Sequence, residues 1–278
     1  MLRLGDRAVD ITHRALVMAI LNRTPDSFYD RGEFWDFDAF LRLAEKHVND
    51  GADILDVGGV KAGPGPEVTE QEELDRVLPA IDALVKRFDT PISADTWRAS
   101  VAKGAYELGA VIGNDISGLG DPDYARVTAE HNATVVITHI RLKPRVADPE
   151  PVYDDVVNDV GAFLVERAQQ ALDAGVARDR IVIDAGLDLG KTWQQSLELI
   201  RHSRDTASLG YPLLLSASNK TFLGKLLDLE IDQRRDASHA ATALGIIGGC
   251  RIVRVHDTKG SRRICDFLAA LSEAEAAA

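Results

Sequence analysis

One event, repeated eight times, constrains this chain more than any other feature: an apolar run stops at a polar side chain, a turn-rich loop opens, and an amphipathic stretch follows. The first instance is Ala15–Leu21, which ends at Asn22 and gives way to Arg23-Thr-Pro-Asp-Ser-Phe-Tyr-Asp-Arg-Gly32. A continuous apolar run bounded by turn residues suits a strand buried on both faces, hence a parallel sheet. Thr24-Pro25-Asp26-Ser27 breaks any helix, so a strand ends there and a polar loop begins. Later strands are expected at residues 52–59, Pro91–Thr96, Val111–Ile116, Thr134–Ile140, Ile181–Gly186, Pro212–Ser218 and Arg251–Asp257.

Between them lie helical patterns. Phe37, Phe40, Leu41, Ala44 and Val48 repeat at helical spacing and end at Gly51. Thr69-Glu-Gln-Glu72 reads as a capping box before Leu74, Val77, Leu78, Ile81 and Val85. Further helices are expected up to Gly109 and over Pro122–His131, Tyr153–Ala174, Trp193–His202, Ser238–Ile247 and Ser261–Leu271. Residues 1–14 alternate weakly around Gly5-Asp6, a small hairpin before the main fold, and the Ala/Glu tail at 273–278 is expected to fray. Eight strand–helix units in 278 residues predict an α/β chain folded as one (β/α)8 TIM barrel over 1–278 with a short N-terminal β-hairpin. A doubly wound open sheet is the alternative. It usually carries a glycine-rich turn after its first strand, and Gly-x-Gly-x-x-Gly is absent there.

Several function classes are disfavoured. A net charge of −12 and a pI near 5.0 argue against a nucleic-acid partner. No 18-residue uncharged apolar run is present, so no membrane span is expected, and Met1–Arg14 lacks the apolar stretch of a secretory signal. Cys250 and Cys265 have no metal-like spacing and suit a reduced, cytoplasmic setting.

Barrel chemistry sits at the C-terminal ends of the strands, so the polar residues there are the candidate site. They are Asn22, Asp56, Asp95, Asn114 with Asp115, His139, Asp184, Ser218 with Lys220, and Arg254 with His256. A lone Asp in an apolar strand is readily a paired structural group. Nearly every strand ending this way points instead to a shared pocket. Asp95, Asn114 and Asp184 suit the donor–acceptor edge of a flat heterocycle. Lys220, Arg254 and His256 come from the last two units, where barrels often hold a phosphate. Asn22 could ligate Mg²⁺ beside phosphate oxygens, or merely cap its loop; Arg254 could bind phosphate, or pair with a barrel carboxylate. A Schiff-base role for Lys220 ranks below a hydrogen-bonding one. The loops Arg23–Gly32 and Val60–Pro66 have the Gly and Pro density of lids, and equally of plain surface turns.

Asn22-Arg-Thr-Pro-Asp-Ser-Phe28 resembles the N-x-T-P-D-S-F signature of the dihydropteroate synthase family. Asp56-Val-Gly-Gly59, Ser93-Ala-Asp-Thr96, Asn114-Asp-Ile-Ser-Gly118, Asp184 with Gly190-Lys-Thr192, Ser218-Asn-Lys220 and Arg254-Val-His256 follow in family order. The resemblance implies a transferase of folate biosynthesis that joins 6-hydroxymethyl-7,8-dihydropterin pyrophosphate to p-aminobenzoate and releases pyrophosphate. It implies that Asp95, Asn114, Asp184 and Lys220 hold the pterin. Asn22 with Mg²⁺, Arg254 and His256 would hold the leaving pyrophosphate, and Phe28, Asp30 and Thr221 would form the p-aminobenzoate site. It also implies a homodimer.

The second loop departs from the family pattern. The usual G-G-E-S-T-R-P-G is Gly58-Gly-Val-Lys-Ala-Gly-Pro-Gly65, so the expected Thr and Arg are Ala62 and Gly63. Lys61 offers a neighbouring positive charge. The chain thus also resembles an actinobacterial paralogue group whose members need not be active synthases, and a pterin-binding protein with weak or no synthase activity is the second reading. A pterin-dependent methyltransferase with a corrinoid partner is a third; it does not account for the first-loop signature.

Overall fold

The structure, a computed structural model, describes residues 1–24 and 37–276. The chain opens with an antiparallel hairpin, β1 (Leu2–Leu4) and β2 (Arg7–Val9). Eight parallel strands then close into a barrel: β3 (Leu16–Asn22), β4 (Ile54–Gly58), β5 (Ile92–Asp95), β6 (Ile112–Asp115), β7 (Thr134–Thr138), β8 (Ile181–Asp184), β9 (Leu213–Leu215) and β10 (Cys250–Val255), which pairs back onto β3. The open-sheet alternative is therefore excluded.

The helices are α1 (Phe37–Asn49), α2 (Glu70–Arg87), α3 (Ala99–Glu107), α4 (Tyr124–Glu130), α5 (Val156–Asp173), α6 (Trp193–Arg201), α7 (Ser203–Ala207), α8 (Thr221–Leu227), α9 (Arg235–Ile247) and α10 (Thr258–Ala276). Thr69 caps α2 by accepting from the Glu72 N–H, one half of the expected box. Glu70, Glu72 and Glu73 in its first turn and Lys86 and Arg87 in its last complement the helix dipole. Two elements have no counterpart in the sequence pattern, α7 and α8. The final helix runs on to Ala276, past residue 273, where fraying is expected. Ala and Glu are strong helix formers, and extending an existing helix adds a bond per residue fixed.

Side chains alternate along each strand, and the inward set decides what the barrel holds. At the N-terminal end it is apolar: Met18, Ile54, Ile112, Val136, Val182 and Ile252 pack together. Leu2 and Leu4 of the hairpin, with Ile11, join them and plug that end. Two residues further along the same faces, Ile54 is followed by Asp56, Ile112 by Asn114, Val136 by Thr138, Val182 by Asp184 and Ile252 by Arg254. The interior therefore changes from hydrocarbon to polar layer within one step of the pleat. The outward faces bury against the helices in two further apolar clusters, one holding Leu55, Val57 and Ala94, the other Ile183, Leu213 and Val253.

Candidate active site

Arg254 organises the polar layer. From β10 its guanidinium reaches past β3, donating from Nε to Asp56 Oδ2 on β4 at 2.6 Å and from Nη2 to Asp95 Oδ2 on β5 at 2.5 Å. Asn114 Nδ2 donates to the same Asp56 oxygen at 3.1 Å. Of the two expectations for Arg254, pairing with barrel carboxylates is the contact present here. Asp56 is fully buried, and its Oδ1 has no hydrogen-bond partner among the described residues; neither do Ser93 Oγ and Thr138 Oγ1. Buried polar atoms are normally satisfied, so these mark where a ligand or ordered water completes the network.

Asp184 and Lys220 belong to the same field. Asp184 Oδ1 accepts from the Gly186 N–H at 2.8 Å, and Lys220 Nζ donates to the Leu187 carbonyl at 2.9 Å. Gly186 sits at φ +65°, and a Cβ there would fall 1.9 Å from the His139 carbonyl oxygen, so only glycine brings this turn against the strand end. Burial raises the Asp184 carboxyl above its usual range, against the Gly186 N–H, Lys220, Lys191 and Arg254, which favour its charge. Burial likewise raises Asp95 to about 7, with Arg254 and Lys220 pulling down and Asp56 and Glu73 pushing up. Arg254 is pushed further up: burial opposes its charge, and Asp56 and Asp95 more than offset that. Asp95, Asn114, Asp184, Lys220 and Arg254 thus converge on one mouth, an acid-rich, amide-bearing edge with two cations.

His256 stands at the rim. Its Nδ1 lies 2.9 Å from Ser218 Oγ, and Ser218 Oγ also accepts from the His256 backbone N–H at 3.2 Å. Burial, then the neighbouring Arg254, His47 and Lys220, lowers His256 to about 3, so the ring is neutral near pH 7. Beside it a cleft of about 470 Å³ opens after β9 and β10, bounded by Asn219, Arg235, His239 and the first turn of α10. The corresponding region of many barrels receives phosphate.

Other expected members are placed differently. Asp115 points outward from β6 and accepts from Ser117 N–H at 2.7 Å, Ser117 Oγ at 2.6 Å and Leu119 N–H at 2.6 Å, which makes it the brace of its own turn. His139 meets the buried Lys191, whose Nζ is 2.8 Å from its Nδ1 and also donates to the Gly186 carbonyl at 2.8 Å. Lys191 thereby pins the turn whose Leu187 carbonyl receives Lys220. Asn22 ends β3 opposite Gly58, and the next residue, Arg23, lays its guanidinium over the Phe37 and Phe40 rings at 5.4 and 5.2 Å. Thr221 opens α8 on the surface, its N–H donating to Asp188 Oδ2 at 2.6 Å. Phe28 and Asp30 lie outside the described residues.

Asp56, expected in the polar ring though readable as a lone paired acid, is the hub that Arg254 and Asn114 share. Its signal was available, a fully apolar strand interrupted by one acid. Asp188 gave no such signal, because the N–H groups it accepts from, those of Thr221 and Phe222, lie after the next strand. Among the described residues no group of three His, Cys, Asp or Glu side chains is arranged to hold a metal ion.

The profile of the family described as pterin binding enzyme matches residues 18–256 of this chain. The chain is 41% identical over 266 residues to the dihydropteroate synthase of Bacillus subtilis, covering 95% of this chain and 91% of that one. It is 40% identical over 264 residues to the inactive dihydropteroate synthase 2 of Mycobacterium tuberculosis, covering 93% and 83%. The crystal structure of a Yersinia pestis dihydropteroate synthase in a sulfonamide drug complex superimposes with a TM-score of 0.93 at 34% identity, over 98% of this chain and 99% of that one. The Xanthomonas albilineans enzyme with 4-aminobenzoic acid gives a TM-score of 0.86 at 35% identity over 93% of each chain.

Proposed function

This chain is a pterin binding enzyme of the dihydropteroate synthase family, and from that premise we propose that it joins 6-hydroxymethyl-7,8-dihydropterin pyrophosphate to p-aminobenzoate and releases pyrophosphate. One observation carries the proposal: side chains from β4, β5, β6, β8, β10 and the loop after β9 converge on one mouth. Asp95, Asn114 and Asp184 offer acceptors and an amide to the amino and ring N–H groups of the pterin. Lys220 supplies a donor to its carbonyl side. Arg254 orients the carboxylate cluster through its Nε and Nη2 and brings positive charge to the mouth, where the anionic substrate would lie.

The arylamine nitrogen donates its lone pair to the pterin methylene carbon as the C–O bond to diphosphate breaks. The electron pair of that bond leaves with the diphosphate, and the new ammonium releases its proton to solvent or to the leaving group. A neutral His256 donates a hydrogen bond toward developing phosphate charge without needing to titrate. Thr221 and, from the first loop, Phe28 and Asp30 are assigned to the p-aminobenzoate side. Mg²⁺ is part of the proposal only as a substrate-borne ion. Asn22 offers one amide oxygen at the end of β3, and the diphosphate would supply further oxygens to the ion.

A homodimer is proposed as well. Leu244 and Ile247 on α9 and Phe267 and Leu271 on the adjacent α10 are exposed apolar pairs that a second copy would cover. Two buried free cysteines suit a reducing cytoplasm, and no described helix is long and apolar enough to cross a membrane.

The second reading, a pterin-binding paralogue with little synthase activity, rests on Ala62 and Gly63 and on the likeness to the inactive mycobacterial protein. A coupled assay of pyrophosphate release decides between the two. Release that requires both p-aminobenzoate and Mg²⁺ supports the synthase; pterin binding with no release at high protein concentration supports the paralogue.

A further inference from the structure

The loop joining β4 to α2 has little with which to hold itself. Ala62-Gly-Pro-Gly-Pro66 carries no side-chain donor, and Pro64 and Pro66 have no N–H. Its backbone carbonyls are gripped from outside by three arginines. Arg76 Nη1 donates to the Gly59 carbonyl at 2.9 Å, and Arg98 Nη2 donates to that of Val68 at 2.7 Å. Between these anchors Arg145, from the loop after β7, takes the whole middle. Its Nη1 donates to the carbonyls of Lys61 at 3.0 Å and Gly63 at 2.8 Å, its Nη2 donates to Pro66, and its backbone N–H donates to Ala62 at 3.1 Å. A planar guanidinium with five fixed donors suits a carbonyl-rich, donor-poor loop as no other side chain does.

Arg145 itself adopts φ +71°. Residues with a Cβ rarely occupy that region, and they persist there only where surrounding contacts over-determine them, often at functional positions. The fit is close: a Cβ on Gly65 would come 2.7 Å from Arg145 Nη2. We infer that Arg145 is a positioning residue that docks the second loop against the loop after β7 and so sets the wall past which the acceptor amine enters. It brings a guanidinium to the segment where side chain 63 is missing. The catalytic consequence rests on the synthase reading; the clamp does not.

Native-state trypsin cleavage of the full chain tests this, followed by mass spectrometry at the Lys61–Ala62 bond, whose carbonyl is itself held by Arg145. In Arg145→Ala, with a thermal melt confirming the fold, cleavage there should be about tenfold faster or more, because the loop opens without its clamp. Arg145→Lys keeps the charge without the fork and should also accelerate cleavage, so it carries the test if the alanine variant does not fold. An unchanged rate in a folded variant overturns the inference. In an active enzyme the same variants should raise KM for p-aminobenzoate more than they lower kcat, and an unmoved KM overturns the positioning role. Faster cleavage in a chain without synthase turnover upholds the clamp and rejects the synthase reading instead.

Discussion

Arg254 Nη2 lies 2.5 Å from Asp95 Oδ2, although 159 residues separate the two in sequence, and the same guanidinium holds Asp56 at 2.6 Å. One cation thus balances two carboxylates inside the barrel mouth. Arg254→Ala leaves both acids without it, Asp56 fully buried. Removing one partner of a buried pair costs about 3 kcal/mol or more. Urea unfolding should report a loss of that order, together with loss of pterin binding. A variant as stable as the parent would show that these carboxylates do not depend on Arg254.

Asp95 gives a pH signature. Its carboxyl stands at about 7 in the fold against an ordinary 3.8. Between these values the folded chain binds more protons than the unfolded one, so this group's contribution to stability is present at low pH and falls as pH rises from about 4 through 7. Asp95→Asn should flatten that limb of the stability profile. Denaturation midpoints at pH 4.5, 6 and 8 measure it. Parallel profiles for parent and variant would contradict the assigned burial.

The second loop offers a gain-of-function test. A Cβ at Gly63 meets nothing within 4 Å, so the backbone there accepts a larger side chain. Ala62→Thr with Gly63→Arg should raise kcat/KM for p-aminobenzoate by about tenfold or more, if a charged donor at that wall stabilises the transition state. No change would show that the altered loop does not limit the reaction.

The barrel was legible because parallel strands buried on both faces write themselves as apolar runs. The site was legible because an acid such as Asp184 two places after Val182 shares its inward face, which leaves little structural reason for it. What escaped depends on distant partners. The helix α8, seven residues ahead of a charged connector, is too short to show a period, and its start is fixed by Asp188, which accepts from the Thr221 and Phe222 N–H groups 33 and 34 residues away. Arg145 reads as one cation among several in a proline-rich loop; its acceptors lie on a segment some eighty residues earlier, and they are carbonyls, which no residue type announces. Asp115 has the sequence context of a site acid, and only the strand's alternation, Asn114 inward and Asp115 outward, separates the two.

The most direct measurement is calorimetric titration of the dihydropterin pyrophosphate into the parent chain and into Asp184→Asn and Lys220→Ala. One pterin should bind per chain, with affinity reduced about tenfold or more in each variant, since each loses a charge-assisted hydrogen bond to the ring. Undiminished binding in both folded variants, or no binding to the parent, would contradict a pterin held at the C-terminal mouth of this barrel.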